Sequence, residues 1–182
     1  MEGTFRSIIV SGNVGVGSST LAKNLAKELG WKYISAGDIS RQYHLEHNIP
    51  LWDKAAVPEG FERYLDNKIS EIVKNESGYV IDSHYASWFA RHQETIYRIL
   101  LTCDLKAVQA RIAGRRHTHE EKPEEVIERM KQLKDKFRLL YSQDNYEDPK
   151  YFHLVIDTTN STQEETLQQA LKNFNLAKKN WC

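Results

Sequence analysis

The stretch that most constrains the fold is Ser7 to Leu29, SIIVSGNVGVGSSTLAKNLAKEL. It opens on an apolar run, Ile8-Ile9-Val10, short enough for a buried strand. Glycines follow at Gly12, Gly15 and Gly17. Then Leu21, Leu25 and Leu29 recur every four residues with Ala22 and Ala26 beside them, which is a helical stripe. In a strand, glycine loop and helix of this kind, backbone N–H groups can converge on one point, and the new helix adds the positive end of its dipole. The spacing fits G-x-x-x-x-G-K-[ST], with Gly12, Gly17 and Ser19 in place and Ser18 at the lysine position. Phosphates are therefore expected on the loop formed by Gly12, Asn13, Val14, Gly15, Val16, Gly17, Ser18, Ser19 and Thr20, with the Ser19 hydroxyl available to Mg²⁺. The missing part is the point charge that a lysine brings to the β- and γ-phosphates. The alternative is a glycine-rich turn before an ordinary helix, and the apolar strand before it and the stripe after it, which complete the motif's context, weigh against it.

The rest of the chain repeats the alternation. Gly30 is a helix stop. Trp31 to Ile34 reads as a second strand, Ser35-Ala36-Gly37-Asp38 as a turn, and a helix is expected from about Ile39. Asp38 is either its N-cap or a contact to a second substrate, and Arg41 either a surface residue or a phosphate ligand. His44 to Gly60 is irregular, broken by Pro50 and Pro58. Phe61 to Asn75 returns to helical spacing, with Phe61, Leu65, Ile69 and Ile72 on one face. Tyr79-Val80-Ile81 is a third strand ending at Asp82, either a turn aspartate or a carboxylate placed to hold a metal-bound water. Thr95 to Leu101 is a fourth strand, and Asp104 opens a helix to about Arg115. HTHEEKP breaks the pattern, and Pro123 starts a helix to about Tyr141. Leu154 to Asp157 is the last strand. Thr162 and Glu165 form a capping box before a final helix with Leu167 and Leu171 inward, and Asn173 to Cys182 reads as a loose tail. Strands alternating with helices argue a parallel sheet with helices on both faces.

Charge is uneven. The whole chain is neutral, so nothing in its total charge attracts a nucleic acid, yet Lys106 to Arg138 holds ten basic against six acidic residues. Alone that is a solvated helical face. Beside a phosphate loop, Arg111 and Arg115, four apart on one helix, and Arg129 on the next become candidate clamps of a lid. His117 and His119 lack the partners of a zinc site. No apolar run is long enough to span a membrane. The opening MEGTFRS carries no signal-peptide pattern, and the two cysteines, Cys103 and Cys182, do not read as a disulfide framework. A cytoplasmic, monomeric chain is expected.

Four stretches, GVGSST (Gly15–Thr20), KYISAGDISRQ (Lys32–Gln42), CDLKAVQARIAGRR (Cys103–Arg116) and LYSQDNYEDPKYFHLVIDTT (Leu140–Thr159), together resemble the nucleoside monophosphate kinases, most closely the cytidylate kinases of archaeal type. The resemblance runs from Ser7 to about Leu171. It implies an α/β three-layer P-loop NTPase fold, with a five-stranded parallel sheet, helices on both faces and a small helical lid. Within one domain, 1–182, it places a monophosphate-binding region at about 35–75 and the lid at about 111–138. It implies transfer of the ATP γ-phosphoryl to CMP or dCMP, with ATP and Mg²⁺ as cofactors and small nucleotides as substrates. Ser35, Asp38 and Arg41 are implied to face the monophosphate, Ser19 to hold Mg²⁺ directly and Asp82 through water. Arg111, Arg115 and Arg129 are implied to close over the γ-phosphoryl, in place of the absent lysine. DSHYASW, Asp82 to Trp88, departs from the Glu-Gly-Arg of these kinases by placing His84 at a family arginine, and Ser142 replaces a usual glycine. The DSH sequence is closer to the small adenylate kinases associated with ribosome maturation, a second reading. A nucleotide-binding module without catalysis is a third.

Overall fold

A computed structural model describes residues 5–114 and 122–179. Five strands, β1 (Ser7–Gly12), β2 (Lys32–Ser35), β3 (Tyr79–Asp82), β4 (Ile96–Thr102) and β5 (Leu154–Asp157), form one sheet in the order β2-β3-β1-β4-β5. Every pairing is parallel. Seven helices connect and flank them among the described residues: α1 (Ser18–Leu29), α2 (Ala36–Glu46), α3 (Glu59–Asn75), α4 (Ala86–Phe89), α5 (Leu105–Ala113), α6 (Pro123–Leu140) and α7 (Gln163–Lys179). Successive side chains of a strand point to opposite faces. Ile8, Val10 and Val80 accordingly join Leu21, Leu25, Leu167 and Phe174 in one core. Ile9 and Ile81 join Leu65, Ile69, Val73 and Ala86 in another on the far face. Each such aliphatic side chain contributes about 1.5–3 kcal/mol when fully buried.

The register carries the geometry of the site. Val10 pairs with Asp82 and Ser35 pairs with Asp82, so β1, β2 and β3 end side by side at their C-terminal edge. The chain emerging from β1 turns there into α1, at the point where the strand order runs outward in both directions. Crevices for ligands form at such switch points.

Some local expectations shift. The second helix begins at Ala36 rather than near Ile39, because Ser35 is its N-cap and accepts the Asp38 N–H at 3.1 Å. Asp38 therefore sits in the first turn instead of capping it. That helix runs on to Glu46, so the irregular stretch is shorter than 44–60. The short helix α4 had no periodic signal. The tail is helical to Lys179, because Phe174 is buried against Phe5, Trp31 and Tyr97. Arg115 of the expected lid, the pair His117 and His119, and Cys182 lie outside the described residues. No helix among the described residues is long and apolar enough to cross a membrane.

Candidate active site

The loop between β1 and α1 is shaped by its glycines. A Cβ on Gly12 would meet Val16 at 2.6 Å and the Leu101 carbonyl oxygen at 2.7 Å, so only glycine lets the chain leave β1 this way. Gly17, at φ 101°, occupies the N-cap of α1 in the left-handed region, where a side chain is strained. It brings no capping side chain, and the first turn of α1 holds no acidic residue. The first-turn amides of α1 thus meet no side-chain cap, which suits an anion.

Asp82 stands behind this turn, only 6% exposed. Its Oδ2 accepts the Ser19 hydroxyl at 2.5 Å and the Ser35 hydroxyl at 3.1 Å. Burial raises its pKa, against the opposing pull of the hydroxyls of Ser19, Ser18 and Ser35 and the charge of Arg41. Two hydroxyls and a carboxylate converge here, an all-oxygen donor set of the kind hard divalent cations prefer. Among the described residues no group of three or more His, Cys, Asp or Glu is arranged to hold a metal.

In front of the loop lies an open cleft. One wall is the loop itself, from Asn13 to Thr20 without Val16, together with Asp82 and His84. The other is built from Gly37, Ser40 and Arg41 of α2, Leu51 and Lys54 of the following connection, Glu62 and Asp66 of α3, and Arg129 and Leu133 of α6. Arg41 pairs with Asp38 on the surface, an exposed contact of small energy that leaves its guanidinium adaptable. Arg129 is 9% exposed. His84 donates its Nδ1–H to the Gly12 carbonyl at 2.7 Å. Burial, then the charge of Arg129, hold its pKa down at about 4, so the ring is neutral. Asp66 accepts the Tyr141 hydroxyl at 2.6 Å, and burial lifts its pKa to about 7 against that bond.

The structure therefore brings the loop, Arg41, Asp82 and Arg129 into one cleft, with Ser35 behind it on Asp82. Asp38 reaches it through its contact with Arg41. Arg111 is placed differently from Arg129. It donates to the Val16 carbonyl at 3.4 Å, to Thr158 Oγ1 at 3.1 Å and to the Thr158 carbonyl. Thr158 Oγ1 in turn donates to the Val16 carbonyl at 2.9 Å. Arg111 thus borders a second cavity on the outer flank of the loop, lined by Gly15, Gly17, Thr20, Thr158 and Thr162. Sequence reasoning missed Lys54, Glu62 and Asp66. Glu62 and Asp66 do leave a signal, as acidic residues four apart beside the apolar stripe of α3. Lys54 leaves none, since it lies in a segment without periodicity.

A parallel five-stranded sheet with a glycine loop at its switch point and a cation-lined cleft before it defines a P-loop α/β protein of the nucleotide-kinase type. A family model described as an AAA domain matches residues 8–132. A cytidylate kinase from Sulfurisphaera tokodaii is 34% identical over 177 residues, covering 94% of this chain and 97% of that protein. A cytidylate kinase from Aeropyrum pernix is 31% identical over 168 residues, covering 90% of this chain and 96% of that protein. A gluconokinase from Sinorhizobium meliloti has the same fold with TM-score 0.68 at 14% identity, covering 97% of this chain and 96% of its own. A shikimate kinase from Bacteroides thetaiotaomicron has it with TM-score 0.63 at 16% identity, covering 93% and 98%. The chain belongs to the cytidylate kinase family and carries this AAA domain.

Proposed function

We propose that the protein transfers the γ-phosphoryl of ATP to CMP or dCMP. The observation that carries this reading is the cleft itself, with a neutral, amide-rich loop on one wall and Arg41 and Arg129 on the other. Family membership supports the acceptor. An oxygen of the monophosphate attacks the γ-phosphorus, and the bond from that phosphorus to the bridging oxygen of the departing ADP breaks. The attacking phosphate oxygen carries no proton at neutral pH, so a general base has nothing to remove. Positioning and charge stabilisation are what remain for the protein to supply.

In this reading the backbone from Gly12 to Thr20 cradles the ATP phosphates. Arg111 steadies the flank of that loop beside the second cavity, on the ATP side. Ser35, Asp38 and Arg41 address the monophosphate, Ser35 and Asp38 by shaping the N-terminus of α2 and Arg41 by direct charge. Arg129 faces the transferring group, and Arg115 is assigned there by sequence alone. The donors at Ser19 and Asp82 fit a Mg²⁺ ion, since a cation between them would offset the burial that raises the Asp82 pKa. Bound there, Mg²⁺ neutralises charge on the β- and γ-phosphates.

The test is steady-state turnover with ATP and a panel of monophosphates. CMP and dCMP are expected to give the highest kcat/KM, ahead of AMP, UMP and GMP. The highest value with AMP would instead support the adenylate kinase reading, which His84 favours through the DSH sequence. Nucleotide binding without turnover of any monophosphate would leave the binding-module reading standing.

A further inference from the structure

Lys54 is an unusual cation. It is 7% exposed, and it reaches the cleft from the connection between α2 and α3. Its ammonium donates to Ser40 Oγ at 2.6 Å and to His44 Nε2 at 2.9 Å. The His44 Nδ1–H is directed at the carbonyls of Ile49 and Pro50, at 3.2 and 3.1 Å. That fixes the tautomer and leaves Nε2 as the acceptor. Both partners of the ammonium are therefore neutral, and among the described residues Lys54 forms no ion pair with a carboxylate. Glu62, the nearby acid, is engaged by Lys136 at 3.4 Å.

An ammonium has three donors, and two are used. The main chain of Lys54 is held as well. Its N–H donates to Gln132 Oε1 at 2.8 Å, and its carbonyl accepts from Lys136 Nζ at 2.7 Å. The residue is thus tied to α2 by its side chain and to α6 by its backbone, with its charge at the cleft. A buried ammonium without a paired carboxylate is costly; the charge of Glu62 offsets part of that cost, those of Arg129, Lys136 and Arg41 add to it, and an anion in the cleft would complete the balance.

We infer that Lys54 is a phosphate-binding residue for the acceptor monophosphate, a third cation on that wall beside Arg41 and Arg129. The inference rests on the kinase reading and deepens it by adding a residue to the acceptor site. The surroundings of the amine are known from every element packed against it. From α2 come Ser40, Arg41 and neutral His44, from α3 Glu62, and from α6 Arg129 and Lys136. Burial lowers the Lys54 pKa to about 8, Glu62 works against this, and the charges of Arg129, Lys136 and Arg41 add to it. A dianionic phosphate in contact would favour the charged amine, so binding should take up a proton once the solution pH exceeds about 8.

Calorimetric titration of CMP into wild type, Lys54→Met and Lys54→Arg from pH 7 to 9.5, with a non-hydrolysable ATP analogue in parallel, tests this. In wild type the CMP Kd is expected to rise up to about tenfold per unit above pH 8, with proton uptake seen as a buffer-dependent heat. Lys54→Met at pH 7.5 is expected to bind CMP about 10- to 150-fold more weakly, with the ATP analogue within about threefold. Lys54→Arg should keep CMP binding closer to wild type and lose the alkaline fall. A wild-type CMP Kd that is flat above pH 8 and lacks proton uptake overturns the assignment, even if Lys54→Met does not fold. So does a folded Lys54→Met that binds CMP as wild type does. Wild type that binds the ATP analogue but no CMP overturns the acceptor reading along with it, whereas loss of the Lys54 effect alone leaves that reading intact.

Discussion

The two walls of the cleft treat negative charge in opposite ways. The loop wall has no cation of its own. It offers backbone amides and the hydroxyls of Ser18 and Ser19, and the carboxylate of Asp82 stands behind them. The facing wall carries Arg41, Lys54 and Arg129 on side chains from three different parts of the chain. A backbone cradle is rigid and suits the donor phosphates, which must be held in one geometry throughout. Side-chain cations follow a group whose charge distribution changes as it transfers. In the proposed reading, the phosphate loop can lack its lysine because the opposite wall supplies the charge.

The largest break in that contrast should come from Arg129. Arginines on a transferring phosphoryl are worth about 10³–10⁵ in kcat, so Arg129→Ala is expected to lower kcat at saturating CMP and ATP by at least about 10²-fold. The KM for ATP should change much less, because the cradle is untouched. Activity near wild type would mean that the charge is not coming from this wall.

Arg129 and Arg111 show where the sequence stops being legible. Both are basic residues on helices that flank HTHEEKP, and sequence gives them one role. The phase of each helix then separates them. Arg129 faces the cleft from α6, whereas Arg111 turns to Thr158 and the outer side of the loop. Which side of a helix meets which neighbour depends on how elements pack, and local periodicity does not record that. The loop was legible because its chemistry is contiguous, with glycines, hydroxyls, strand and stripe all within Ser7 to Leu29. Asp82 was legible as the end of an apolar strand. Lys54 was not, since its partners Ser40, His44 and Gln132 meet it only through tertiary approach. The same holds for Phe174, whose polar neighbours Asn173 and Asn175 hide a helix that closes on Phe5 and Trp31.

A smaller, more selective effect should follow from Arg41. Its guanidinium lies at the N-terminus of α2, with only a surface pair to Asp38 in competition. A charge-assisted contact to phosphate is worth about 1.5–3 kcal/mol, so Arg41→Ala should raise the KM for CMP roughly 10- to 150-fold and leave that for ATP nearly unchanged. A KM for CMP like that of wild type would return Arg41 to the surface role that its sequence also allowed, and the facing wall would lose one of its three cations.

The smallest effect is the one that most sharpens the comparison. Ser18 stands at the first position of α1, and its hydroxyl is among the groups that act on Asp82. A lysine placed there would bring a positive charge to the wall that has none. Two consequences compete. The charge could reach the phosphates, as it does where the motif is complete. It could also pair with Asp82, pulling down a pKa that burial holds up and drawing the carboxylate from Ser19 and Ser35. With three cations already on the facing wall of the cleft, a fourth adds charge where it is least needed, and its capture by Asp82 further reduces the gain. Ser18→Lys is therefore expected to change kcat by less than about tenfold, or about 1.4 kcal/mol in the barrier. The check is kcat with saturating CMP and varied ATP, measured beside Arg129→Ala. A hundredfold gain in Ser18→Lys, with Arg129→Ala close to wild type, would reverse the assignment of the two walls and make the loop the deficient one.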